Sequence, residues 1–156
     1  MASLDQQIEV LIQQAPGDDV TATLIALVGP LLKQVANQLK HLDYYVLQTR
    51  DGGWVVTTLG HRTQPDQEKA VVYAFPNIQD AQAFAETHKD AEVAPIALPV
   101  VEILFQLIAL EKVESLLFFE IAGDRQQAAE VRRGDLQAQM QLLMRQQLQQ
   151  PPSNLA

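Results

Sequence analysis

The sequence predicts an α+β protein: a mixed, mainly antiparallel five-stranded sheet packed by helices, with helical N- and C-terminal extensions. Three observations carry the prediction. The apolar pattern changes from a helical period to alternation near residue 43. Runs rich in β-branched and aromatic residues then recur at 43–49, 54–59, 69–75, 91–98 and 115–121. The first three follow one another as a meander, and the later ones alternate with helical stretches, which favours one sheet with helices laid against it.

The elements follow in order. Ser3 and Gln6 have the spacing of a capping box, and Leu4, Ile8, Leu11 and Ile12 then share one helical face. Ala15-Pro16-Gly17 ends that helix. A second helix starts at Asp18 or Asp19 and runs to residue 40, with a stripe through Leu24, Leu27, Val28, Leu31, Leu32, Val35 and Leu39. Pro30 is expected to kink or divide it, because proline removes a backbone donor and crowds the preceding turn. DYYVLQT (43–49) and WVVTTL (54–59) flank Asp51-Gly52-Gly53 and read as a hairpin. A third strand, KAVVYAF (69–75), follows a polar loop.

The stretch FPNIQDAQAF (75–84) has the look of a helix start that holds a ligand. Capping explains it more simply. Asn77 is a good N-cap, and Asp80 sits in the first turn, where the helix dipole favours a negative charge. That same acid would repel an anion. The helix runs to about His88, with Ile78, Ala81, Phe84 and Ala85 inward. Pro95 assigns the strand at 91–98 to an edge or a bulge. Pro99 suits the first turn of the helix VVEILFQLIALEKV (100–113), which is apolar on most of its circumference. The strand SLLFFEI (115–121) precedes a Gln-rich, helical C-terminal part that Gly134-Asp135 is expected to split. The chain thus reads as one domain over 1–150: helices in 1–41, a sheet core in 43–121 and a C-terminal helix in 124–150. Residues 151–156 are expected to form a disordered tail.

Composition removes several function classes. The chain has 156 residues, 47% of them hydrophobic, enough for one ordinary core. Its net charge of -8 argues against a nucleic-acid surface and against anionic lipid. No cysteine is present, which excludes disulfides, thiolate catalysis and cysteine-held metals. No apolar run approaches the roughly 20 residues of a membrane span, and the first residues lack the pattern of a signal peptide. The expected location is the cytoplasm.

Chemistry-bearing patterns are scarce. Ser3, Ser115 and Ser153 lie in no nucleophile elbow. His41, His61 and His88 are widely spaced, and a His61–Asp66 metal pair has no specific spacing to support it. Neither phosphate-loop glycine pattern occurs. No catalytic residue, cofactor site or metal site is therefore assigned. Two weaker candidates remain. Leu136, Met140, Leu143 and Met144 make a helical stripe that suits a protein partner or a homodimer, and equally suits packing within the chain. Trp54, Tyr73 and Glu102 are candidates for a pocket between sheet and helices, Glu102 because its neighbours are apolar.

From residue 44 to 121 the order of features resembles a known family. The match runs through YYVLQTRDGGWVV, VVYAFPNIQDAQAF, AEVAPIALPVVEIL and SLLFFE. It looks like the Tic-twenty-two-type translocon proteins of plastids and their cyanobacterial relatives. A similar grammar occurs in the N-terminal domain of the SseB, enhanced-serine-sensitivity, family. The translocon resemblance implies a non-enzymatic role in handling other proteins, and it brings no catalytic residue. The expectation is a non-enzymatic protein-interaction module: an adaptor, an assembly factor or a chaperone-like protein. The rival is a small-molecule sensor or enzyme using the pocket near Trp54, Tyr73 and Glu102.

Overall fold

A computed structural model of the chain describes residues 3–14, 19–60, 68–87, 92–124 and 126–149. The expected tail at 151–156 lies outside the described residues. The elements run α1 (Leu4–Gln14), α2 (Asp19–Ala36), β1 (Asp43–Thr49), β2 (Thr57–Gly60), β3 (Glu68–Ala74), α3 (Ile78–Ala85), β4 (Val93–Pro99), α4 (Val100–Ala109), β5 (Ser115–Phe119), β6 (Ala128–Arg132) and α5 (Arg133–Gln149). The α+β class holds, and most strand pairs are antiparallel. In place of the expected single five-stranded sheet, the described residues form six strands in two sheets, β1-β4 and β2-β3-β5-β6. Only β3 and β5 are parallel, joined through α3, β4 and α4. The two sheets touch where Tyr45 and Phe75 exchange both backbone hydrogen bonds at 2.8 Å.

The hairpin forms at its turn and then opens. Gly52 has φ +89°, a conformation a side chain disfavours, and Thr49 N–H donates to the Gly53 carbonyl at 2.7 Å. Val55 N–H still donates to Leu47 O, but the next residues leave β1 and pair with β3. β1 takes β4 as its full-length neighbour. Pro95 fits this edge strand because it faces Leu47, whose carbonyl is turned away from β4 toward Val55.

Alternation along the strands divides the interior in two. Tyr44, Val46, Val72, Ala74, Leu116 and Phe118 face the main core beneath α2 and α4. Tyr45, Leu47, Tyr73, Phe75 and Phe119 face α3. Helix α4 buries Val100, Val101, Ile103, Leu104 and Leu107, as its nearly continuous apolar surface requires. It stops at Ala109 rather than 113, where Leu110 leaves helical geometry (φ -91°, ψ 80°) and Glu111-Lys112 turn the chain into β5.

Three further differences have local causes. Pro30 does not divide α2, which runs through it. The carbonyl deprived of its donor belongs to Ala26, an exposed residue, so no bond is lost in the core. Residues 128–132 form β6 rather than helix, because pairing with β5 puts Ala129 and Val131 on the main core. At Gly134-Asp135 the helix is not split; α5 begins just before them.

Two expected caps form. Ser3 N–H donates to Gln6 Oε1 at 2.9 Å while Gln6 N–H donates to Ser3 Oγ at 3.2 Å, the reciprocal capping box. Asn77 is extended (φ -145°, ψ 167°) and its Oδ1 accepts the Asp80 N–H at 2.8 Å. Asp80 also acts at longer range, because its Oδ2 accepts the N–H of Gly123 at 2.8 Å and fixes the loop after β5 to α3. Asn77→Ala is expected to cost about 1 kcal/mol in urea denaturation. Unchanged stability would remove the capping explanation of this stretch.

Candidate functional site

The α3 face of the sheet carries the most distinctive surface. Tyr73 and Phe75 are two apart on β3 and so lie on one face; β5 adds Phe119 and α3 adds Phe84. Their rings touch in a closed circuit, with centroids 4.9 Å apart for Tyr73–Phe84, 5.5 Å for Phe75–Phe84, 5.4 Å for Phe75–Phe119 and 5.5 Å for Tyr73–Phe119. Helix α3 is short, eight residues, and leaves part of this circuit uncovered. An open groove of about 350 Å³ results, lined by these four rings with Thr57 and Thr87. Phe75 and Phe119 are its buried floor, while Tyr73 and Phe84 are half-buried walls. Burial pushes the Tyr73 phenol above its ordinary pKa, so the hydroxyl stays protonated at neutral pH and can donate to an occupant.

The sequence candidates are distributed over the molecule. Tyr73 lies in the groove. Trp54 pairs with Gln48 on the opposite face and packs against the main core. Glu102 lines a separate depression of about 360 Å³ between α1 and the β4–α4 junction, beside Gln7, Leu11 and Pro99. Trp54, Tyr73 and Glu102 do not share a pocket. On α5, Leu136 is buried and Met140 and Leu143 pack against the main core of the same chain, while Met144 is 40% exposed. Sequence reasoning misses Phe75, Phe84 and Phe119. The Tyr73-x-Phe75 repeat is the signal that could have found the first of them.

Two polar clusters are built for support. Ser115 is buried, and its hydroxyl donates to Glu130 Oε2 at 2.6 Å, which ties up the oxygen a nucleophile would use. Lys69 donates to the same carboxylate, and with Ser115 it holds the Glu130 pKa below the usual range. Around them lies a cleft of about 410 Å³ where Arg132, Arg133, Glu114 and Asp135 mix both signs of charge. In the second cluster the buried Tyr44 hydroxyl donates to Glu120 Oε1, and Lys40 N–H donates to Oε2 at 2.6 Å. The His41 ring lies 2.8 Å, through Nε2, from the Glu120 carbonyl, which requires the Nε2–H form. Burial first, and then the Glu120 carboxylate, push the Tyr44 phenol far up, so it is no base at neutral pH. Among the described residues no group of three or more His, Asp or Glu could hold a metal ion. His61, Asp66 and His88 lie outside the described residues. No helix among the described residues is long and apolar enough to cross a membrane.

The chain is similar to Anabaena Tic22, a solved structure described as protein transport. The identity is 22% and the TM-score 0.38, over 78% of this chain and 55% of that one. The match therefore spans about half of that protein's length. It is the same kind of protein that residues 44–121 resemble, and the likeness at this TM-score is weak. No family model and no curated protein matches the chain.

Proposed function

We propose that this chain is a non-enzymatic protein-interaction module that holds an apolar segment of a partner polypeptide, in the manner of an adaptor or assembly factor. The supporting observation is the groove over Tyr73, Phe75, Phe84 and Phe119. Its floor is apolar, its mouth is open along the sheet, and the Tyr73 hydroxyl has no hydrogen-bond partner among the described residues. Aromatic surface of this kind recognises side chains at low entropic cost. Among the described residues of its lining, Thr57 and Thr87 supply hydroxyls, and no carboxylate, imidazole or lysine joins them.

Photo-crosslinking tests this reading. A benzophenone side chain replaces Tyr73 in the full chain, and a control carries it at exposed Gln139 on α5. The added client is a reduced, carboxymethylated protein that stays unfolded. The expected result is crosslinking from position 73 and little from 139, with Phe84→Ala lowering the yield at 73. Equal yields from both positions, or none, would reject the groove as a polypeptide site.

A further inference from the structure

Helix α1 lies in a seat formed by α2 and the β4–α4 junction, and its contacts spell out what that seat accepts. Glycine weakens a helix interior, yet α2 keeps Gly29 well inside its length. A methyl group there would come within 3.1 Å of Ile8 Cγ2, so the glycine lets α1 lie close. Gln7 supplies the polar part of the fit, bridging the Leu42 carbonyl and the Val101 N–H at 2.9 and 3.1 Å. At the rim the Lys33 ammonium meets the Asp5 carboxylate at 2.9 Å. An apolar stripe at Leu4, Ile8 and Leu11, an amide at Gln7 and an acid at Asp5 together fix one register for a helix in this seat.

Helix α1 fills the seat incompletely. Gln7 is its one fully buried residue, the apolar stripe is partly buried, and the ion pair is exposed. Between Val10 and Leu11 on one side and Ala97, Leu98 and Pro99 on the other, the described residues leave the open depression of about 360 Å³. Val10 borders it and stays 42% exposed. A helix with a larger apolar side chain at that position would bury surface that α1 leaves in water, and so would displace α1. We propose that α1 is an exchangeable occupant, and that its seat takes an amphipathic helix of a partner polypeptide. That helix carries the same stripe, amide and acid, with a large apolar residue where α1 has Val10. While docked, α1 blocks the site. The seat lies on the main-core side of the sheet and the aromatic groove on the α3 side, so neither site depends on the other.

The probe is a fluorescein-labelled peptide of residues 3–14, SLDQQIEVLIQQ, read by anisotropy against the full-length chain. Tethered α1 competes with it at an effective concentration on the order of millimolar, so wild type is expected to bind this peptide only in that range. Gln7→Ala in the chain loosens α1 and leaves the seat intact, which should raise affinity about tenfold. The same change in the peptide should lower affinity about tenfold, the opposite sign. Val10→Phe in the peptide should raise it about tenfold by filling the depression. With the chain labelled by ¹⁵N, saturation with the Val10→Phe peptide should shift the α1 amides to disordered positions and leave those of β5 in place.

No binding of any peptide to the Gln7→Ala chain at millimolar concentration, with the β5 amides still dispersed, overturns the proposal. Should that chain fail to fold, Asp5→Lys replaces it: the position is exposed, the change sets like charges together at Lys33, and a gain of about threefold is expected. Unchanged affinity there overturns the proposal too. A Gln7→Ala effect of the same sign in chain and peptide, or loss of binding in Phe84→Ala, assigns the peptide to the aromatic groove and overturns the seat while leaving the groove reading in place. A dimer by light scattering that the peptide separates makes α1 exchange between two copies and overturns the partner assignment.

Discussion

Gln7→Ala is expected to destabilise the protein by about 3 kcal/mol, a large part of the roughly 5–15 kcal/mol typical of a domain. Gln7 is the one residue α1 buries fully, at 3% exposure. Its Nε2 donates to the Leu42 carbonyl at 2.9 Å, and its Oε1 accepts the Val101 N–H at 3.1 Å. The second bond satisfies a donor in the first turn of α4, where no intrahelical partner exists and Pro99 supplies no side-chain cap. Truncation leaves the Val101 N–H in the interior without its partner, while the Leu42 carbonyl keeps the Val100 N–H at 2.8 Å; the penalty of the orphaned donor, added to the space the side chain vacates, exceeds the net worth of the bonds. Helix α1 can escape by undocking, since Leu4, Ile8 and Leu11 are only partly buried against the core. Hydrogen exchange should therefore show loss of protection in α1 before any loss in β1 or β5. Gln7→Met keeps the volume and removes both bonds, so it should retain most of the defect. A wild-type melting temperature with α1 still protected would refute the clamp.

The capping box at Ser3 and Gln6, the N-cap at Asn77 and the turn at Gly52 are legible in the sequence because each depends on residues within a few positions. Strand β6 is not. Ala128, Ala129, Glu130 and Arg132 favour helix, and only β5 beside them makes a strand the better state. The alternation with Ala129 and Val131 inward is present, but five residues are too short a signal. The second arm of the hairpin escapes for a similar reason: local turn chemistry sets Gly52, and β3 decides where Thr57 goes. Of the groove, the sequence singles out Tyr73 and not its companions. The rings come from β3, α3 and β5, and periodicity does not report which elements become neighbours. Gln7 lies on the inner stripe of α1, three residues after Leu4 and four before Leu11. A polar residue at such a position is a sign of a buried partner.

Tyr44→Phe is expected to cost about 1.5–3 kcal/mol at neutral pH, the range for a buried hydrogen bond to a charged group. It should also flatten the alkaline limb of the stability curve. The ring stays in place, edge-on to Phe118 with centroids 4.8 Å apart, so packing is conserved and only the hydroxyl is lost. In the folded protein burial and the Glu120 carboxylate raise the Tyr44 phenol above its ordinary value of 10.0. The folded state therefore holds this proton more tightly than the unfolded chain does. Its contribution is fully present below pH 10.0 and is lost as pH rises past that value toward the folded pKa. Ionisation would set a phenolate against Glu120, the residue that also receives Lys40 N–H and so ties the α2–β1 connection to the end of β5. Tyr73 contributes in the same direction through burial alone, so some alkaline loss persists in the variant. The measurement is urea denaturation of wild type and Tyr44→Phe from about pH 7 to 11.5. The gap between the two should be constant up to about pH 9.5 and narrow above it. A gap that is constant across the whole range would mean that the Tyr44 proton is not bound more tightly in the fold, and would remove the Tyr44–Glu120 bond as the tie between these segments.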